Sequence, residues 1–240
     1  MDITVFTIFP EIINDFCSKS LLGKSLAKDL WKLKIINPRD YSADKRKKVD
    51  DTPFGGTHGL VMRPDVIGRA IEDNCSTKTK IIYPSPRGKK LNQRIIEKLH
   101  DSTDKLAIIC GRYEGIDERI IEEYSVEELS IGDFVVMGGE LPALLLIEGL
   151  VRCINGTVGN IESTAEDSFG GNGKNIFNNL LEYPLYTKPR MWKGRKVPEV
   201  LLSGNHKEIK KWKILMAENV TKDRRKDIWR KYSKNKEKQL

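Results

Sequence analysis

Three segments of this 240-residue sequence place glycines and charged side chains directly after apolar runs. They are YPSPRG at Tyr83–Gly88, CGRYEG at Cys110–Gly115 and MGGELP at Met137–Pro142. Glycine lets a ligand or a second strand approach the backbone closely. The chemistry such segments offer is recognition of a neutral or cationic group by backbone N–H and C=O. Phosphate is a poor fit, because Glu140 follows Gly138 and Gly139 where a helix N-terminus would otherwise hold an anion. No GKS or GKT is present to make a Walker loop, and GxGxxG is absent from the first strand-to-helix turn. Taken alone, the glycine pair also suits a plain tight turn. CGRYEGIDER, in turn, also suits a capped helix start with surface ion pairs.

Two further segments carry reactive side chains. AEDSFGG sets Glu166 and Asp167 in a polar stretch, where a carboxylate can act as general base once a substrate orders it. GGTHG carries His58, while His100 and His206 read as surface residues. No His, Cys or Asp spacing suggests a transition-metal site, so no metal ligands are assigned. The four cysteines, Cys17, Cys75, Cys110 and Cys153, form no CxxC pair. A disulfide framework is therefore not expected, and a reducing, cytoplasmic setting is.

Elements must hold these residues in place. Met1–Phe9, LKIINPRD, KIIYPSP, KLAIICG and FVVM read as strands. Between them Glu11–Lys28, Pro64–Asn74, Leu91–Leu99, DERIIEEY and Pro142–Cys153 read as helices. Alternating strands and helices imply an α/β fold with a mostly parallel sheet covered on both faces. Ligands of such sheets sit beyond the carboxyl ends of the strands. The three glycine segments end consecutive units, so they can converge on one pocket. Asp40–Val61 lacks periodicity and reads as a long functional loop. Gly159–Asn179 reads as a mobile linker, Leu180–Ser203 as irregular, and Lys207–Met216 and Asp223–Tyr232 as short basic helices.

The net charge of +8 is unevenly placed. Gly204–Leu240 holds 13 Lys/Arg against 5 Asp/Glu, so the first 203 residues are neutral. Trp212, Trp229 and Tyr232 lie within this basic stretch, a combination that suits nucleic acid. The longest apolar run, near Leu141–Ile147, is far short of a membrane span, so no membrane partner is expected. The N-terminus reads as a first strand, not as a signal peptide.

Together these segments resemble the bacterial tRNA (guanine-N1-)-methyltransferases of the SPOUT class. The matching blocks run in family order along nearly the whole chain, from FTIFPEI, NPRDY and VDDTPFGG through SPRGKKL to VPEVLLSGNHKEIKKW and RRKDI. GRYEGIDER together with SIGD…GGELPA is the most specific combination. Departures are GGTHGL at Gly55–Leu60 where the family has GGGPGM, Pro84 for leucine, Phe134 for tyrosine and a longer segment after Phe169.

The resemblance implies a SPOUT-type parallel sheet with a trefoil knot over residues 1–158, a linker over 159–179 and a small, basic, helical tRNA-binding domain over 180–240. It implies methyl transfer from S-adenosylmethionine to N1 of the guanosine at tRNA position 37, by a homodimer with shared sites. The donor would meet Tyr83, Pro84, Ser85 and Gly88, then Gly111, Tyr113 and Glu114. On the third loop it would meet Ser130, Ile131, Gly132, Asp133, Phe134, Val135, Val136, Gly138, Gly139 and Leu141. Asp167 matches the family's proposed base, and Arg152 matches a cation for the charge that develops on guanine O6. Mg²⁺ is a possible further requirement, with Glu114 and Asp167 nearby. Two other classes compete with this reading. A tRNA-binding protein without catalysis would not need Arg152 and Asp167, and a dinucleotide oxidoreductase would need the glycine fingerprint that is missing.

Overall fold

The computed structural model describes residues 1–56, 58–158, 168–169 and 180–237. Two compact units divide the chain, Met1–Gly159 and Asn160–Leu240.

The first unit is built on five parallel strands in the order β2-β1-β6-β5-β7. These are β1 (Asp2–Phe6), β2 (Lys32–Ile36), β5 (Lys80–Lys90), β6 (Lys105–Ile109) and β7 (Glu127–Ser130). A two-stranded antiparallel pair, β3 (Asp50–Asp51) and β4 (Val61–Met62), forms part of the long loop. The helices are α1 (Pro10–Cys17), α2 (Ser20–Ala27), α3 (Pro64–Asn74), α4 (Gln93–Ser102), α5 (Glu118–Glu123) and α6 (Glu140–Cys153).

Side chains of a strand alternate between faces, and a parallel sheet buries both. Ile3 and Val5 of β1, with Leu106 and Ile108 of β6, enter one core with Ile13 of α1 and Leu146, Ile147 and Leu150 of α6. Phe6, Ala107 and Ile109 enter the other, against Val66, Ile67 and Ala70 of α3 and Ile120 of α5. These apolar strands and the 3.6-residue spacing of the helices are what made the α/β architecture readable.

Three local expectations need correction. The helical stretch Glu11–Lys28 is two helices, broken at Ser18–Lys19 with Ser20 at φ 53°. A Cβ on Gly23 would lie 2.2 Å from Ser18 O, so α2 packs tightly on the end of α1. The strand expected at FVVM is absent. The sheet's edge strand is the more polar EELS of β7, and Phe134–Met137 forms an irregular, exposed loop in which Val135 is 84% and Met137 93% exposed. Four apolar residues in a row mark a strand only if a neighbour offers free backbone. Here β7 already occupies that edge beside β5. Finally, β5 does not stop at its prolines. It loops out between Pro84 and Lys89 and returns to pair with Leu129 and Ser130.

The second unit holds a hairpin of β8 (Met191–Trp192) and β9 (Arg195–Lys196), then α7 (Glu199–Leu202), α8 (His206–Arg224) and α9 (Lys226–Glu237). The two basic helices are longer than their sequence pattern suggested, and Arg225 separates them. Leu180, Tyr183 and Ala217 form a small core, with Trp212, Trp229 and Tyr232 packed on it.

Candidate active site

From β5 the chain passes through α4 to β6 on one side, then through α5 to β7 on the other. Such a switch opens a crevice at the carboxyl end of the sheet. The crevice is a cleft of about 210 Å³, walled by the three glycine segments. Of the residues singled out from sequence, it brings together Tyr83, Pro84, Ser85, Gly111, Tyr113, Glu114, Ser130, Ile131, Gly132, Phe134, Val135, Val136, Gly138 and Gly139. Pro86, Gly115, Leu129, Met137 and Pro142 complete the walls and were not singled out. Pro86, Gly115, Met137 and Pro142 lie inside the quoted segments and Leu129 directly precedes Ser130, so taking each segment whole already includes all but Leu129.

The glycines answer to specific close approaches. A Cβ on Gly111 would sit 2.7 Å from the Tyr83 ring. One on Gly139 would sit 2.8 Å from Cys110 Cα and from Gly111 N, and Gly139 N–H donates to Gly111 O at 2.9 Å. The third loop is thereby pressed onto the second. Ser130 Oγ accepts from Gly132 N–H at 3.2 Å and donates to Gly132 O at 3.0 Å, which closes the turn after β7. Among the described residues, no backbone N–H from Asp133 to Gly138 finds a hydrogen-bond acceptor. These donors remain available to a ligand or to water. Tyr113, at φ 59°, holds a left-handed conformation that costs a non-glycine residue about 1 kcal/mol or more.

Glu140 has its partners inside the protein. It is 2% exposed, accepts from Thr7 Oγ1 at 2.7 Å and lies 2.8 Å from Arg112 Nη2. The Arg112 guanidinium stacks 4.3 Å from the centroid of the Phe9 ring. A Cβ on Gly138 would lie 2.4 Å from Arg112 Nε, so this glycine makes room for the ion pair. Thr7, Arg112 and Glu140 thus tie the ends of β1 and β6 to the start of α6, beneath the cleft floor. The carboxylate also suits the positive N-terminal end of α6. Sequence reading saw the acid but not its partners, which lie 28 and 133 positions away.

Other predicted residues lie off the cleft lining. A Cβ on Gly88 would lie 2.3 Å from the Glu128 backbone, so Gly88 lets β5 close back onto β7. Arg87 fastens the same loop, with Nη2 2.9 Å from Glu118 Oε2 and Nε 3.2 Å from Glu128 Oε1. Asp133 pairs with Lys90 at 2.8 Å on the surface. Leu141 is 65% exposed on α6, and Arg152 is exposed in its last turn, about 16 Å away along the axis. Asp167, like Glu166, lies outside the described residues. His58 is exposed on the loop whose Gly59 packs on Glu114. Cys110 is fully buried, and burial, then the Glu140 charge, push its thiol well above the usual range. It is no candidate nucleophile. Burial likewise raises the Tyr83 phenol.

Comparison with known proteins adds a family to this geometry. The family described as tRNA (Guanine-1)-methyltransferase TrmD matches residues 1–231. A protein of Pelagibacter ubique (strain HTCC1062), named tRNA (guanine-N(1)-)-methyltransferase, is 42% identical over 231 residues, covering 96% of this chain and 98% of its own. Proteins of the same name from Wolbachia pipientis subsp. Culex pipiens (strain wPip) and Rickettsia akari (strain Hartford) are each 45% identical. Each of those two alignments covers 94% of this chain and 96% of the relative. The chain belongs to the tRNA (guanine-N1)-methyltransferase TrmD family.

Proposed function

We propose that this protein transfers a methyl group from S-adenosylmethionine to N1 of the guanosine at tRNA position 37, next to the anticodon, and so supports reading-frame maintenance. The observation that carries the reading is the convergence of three strand-end loops on one glycine-walled cleft, in a chain of this family.

The cleft fits the donor. Its lining offers free backbone N–H groups for adenine and ribose, apolar walls at Tyr83, Leu129 and Ile131, and one carboxylate, Glu114, for a cationic group. S-adenosylmethionine has no phosphate, and Glu140 is already paired with Arg112. When bound, the donor supplies an electrophilic methyl on a sulfonium. The chain's own residues must then manage the guanine. N1 carries a proton at neutral pH, and Asp167 takes it as the N1–CH₃ bond forms and the S–CH₃ bond breaks. Arg152 meets the negative charge that develops on O6. No covalent enzyme intermediate is required, in keeping with the buried Cys110.

Assembly as a homodimer completes this reading. Leu141, Leu145, Glu148 and Arg152 form one exposed stripe along α6, beside exposed Val135 and Met137. A two-fold pairing through the stripe would cover its leucines and bring Arg152 of one copy toward the cleft of the other. The tight seating of Gly139 on Cys110 and Gly111 supports a knotted crossing of the two loops. The basic second unit would grip tRNA phosphates, which gives affinity without base identity. The cytoplasm, where tRNA is found, is the proposed location. Among the described lining residues Glu114 is the one candidate ligand for Mg²⁺, and no step is assigned to the ion.

A methyl-transfer assay on unmodified tRNA bearing guanosine at position 37 tests the proposal. Asp167→Asn and Arg152→Ala should each cut turnover at least 100-fold while donor binding stays within about twofold, as expected for groups acting only in the transition state. An Asp167→Asn protein with wild-type turnover would remove the base assignment.

A further inference from the structure

Leu185–Lys196, LYTKPRMWKGRK, is exposed at every one of its twelve positions. Five are cations (Lys188, Arg190, Lys193, Arg195 and Lys196) and none is acidic. Among the described residues, none of the five pairs with a carboxylate. The stretch also exposes Leu185 at 70%, Tyr186 at 49%, Met191 at 54% and Trp192 at 60%. A segment this apolar normally packs on its own core, yet the core of its unit, around Leu180, Tyr183 and Ala217, does not include the hairpin.

The hairpin is nonetheless well formed. Met191 pairs with Lys196 and Trp192 with Arg195, and Val197 N–H donates to Arg190 O at 3.0 Å. Its turn is Lys193-Gly194, with φ 48° and 76°. Two positive φ angles match the two-residue hairpin turn that favours Asn-Gly. A lysine there costs backbone energy and puts a cation at the tip. Directly paired residues share a sheet face, so Trp192 lies beside Arg195, while Lys193 Nζ sits 4.9 Å from the Trp192 ring. An indole flanked by an ammonium and a guanidinium, on a stretch of five unpaired cations, complements an unpaired nucleobase with its phosphates.

Resting on the tRNA reading above, we infer that the β8–β9 hairpin is a nucleobase-stacking arm. Trp192 stacks on an unpaired base of the substrate RNA, and Lys193 and Arg195 hold the adjoining phosphates. The partner is single-stranded RNA, as in a tRNA loop, and not another protein.

The test compares wild-type, Trp192→Ala, Trp192→Phe and Lys193→Asn full-length chains. Each is titrated into a fluorescently labelled, unmodified tRNA transcript carrying guanosine at position 37. Stacking of one base predicts that Trp192→Ala raises Kd about tenfold and Trp192→Phe no more than about twofold. Lys193→Asn keeps the turn chemistry and should lower the slope of log Kd against log salt by about 0.7. S-adenosylmethionine binding and thermal stability should not change, because the side chains are exposed. Wild-type tRNA affinity in Trp192→Ala would overturn the inference. So would light scattering that finds Trp192→Ala monomeric where the wild type is dimeric, since the arm would then be an interface between copies. A wild-type chain that binds tRNA but transfers no methyl would overturn the catalytic reading instead, and the comparison of tRNA affinities would still decide the arm.

Discussion

At the residue scale the decisive group is Glu140. In the sequence it stands against the glycine turn, where it would repel an anion. In the structure its charge meets Arg112 and its other oxygen meets Thr7, so it acts as a strut under the cleft. Removing one member of a buried pair leaves the other uncompensated. Glu140→Ala should therefore cost about 3 kcal/mol and lower the Tm by roughly 5–10 °C. Glu140→Gln, which keeps a partner for Thr7, should cost less. Calorimetry on the three proteins checks this, and an unchanged Tm for Glu140→Ala would remove the strut. The thiols of buried Cys17 and half-buried Cys75 make a second prediction. Burial pushes Cys17 and Cys75 from 9.0 up to about 11. The folded chain then keeps protons that the unfolded chain loses, so stability is complete below about pH 9 and falls as the pH rises toward 11. Urea unfolding across that range should show the decline, reduced but not abolished in the Cys17→Ala, Cys75→Ala double variant because the buried Cys110 thiol is raised as well. A flat wild-type profile would contradict it.

At the element scale, α6 and the loop before it carry opposing demands. Leu144, Leu146, Ile147, Leu150 and Val151 bury one side of the helix. Leu141 and Leu145 stay exposed on the other, at 65% and 49%. The buried side explains why the helix forms, and the exposed stripe is the proposed dimer surface. Leu145→Glu adds a charge to that stripe without touching the core. It should shift the protein to monomers in light scattering and cut methyl transfer, while thermal stability of the monomer changes little. A dimer that persists in Leu145→Glu would move the interface elsewhere. Four apolar residues in a row at Phe134–Met137 suggest a strand, but they stay in the loop because β7 already pairs with β5 at that edge.

At the scale of the whole molecule, charge is divided between the two units. The last 37 residues hold the entire excess of +8, and α8 and α9 display most of it. Deleting residues 204–240 should weaken tRNA binding, at least tenfold at low salt, and reduce its salt dependence. Donor binding, which the proposed reading assigns to the first unit, should persist. Filter binding at several salt concentrations checks this, and salt-independent or undiminished binding would remove the basic helices from the RNA interface.

The α/β architecture was legible because strand and helix periodicities depend on local alternation of apolar residues, which the sequence carries directly. So were most of the cleft residues, because glycines beside charges at strand ends are local too. What tertiary structure alone decided depends on contacts between distant positions. Arg112 and Thr7 become partners of Glu140 only when β1 and β6 lie side by side and α6 begins beneath them. Gly88 serves strand return instead of lining the cleft because Glu128 lies opposite it. FVVM stays out of the sheet because EELS fills the edge. A sequence states which side chains are available, whereas the order of strands in the sheet determines which of them meet.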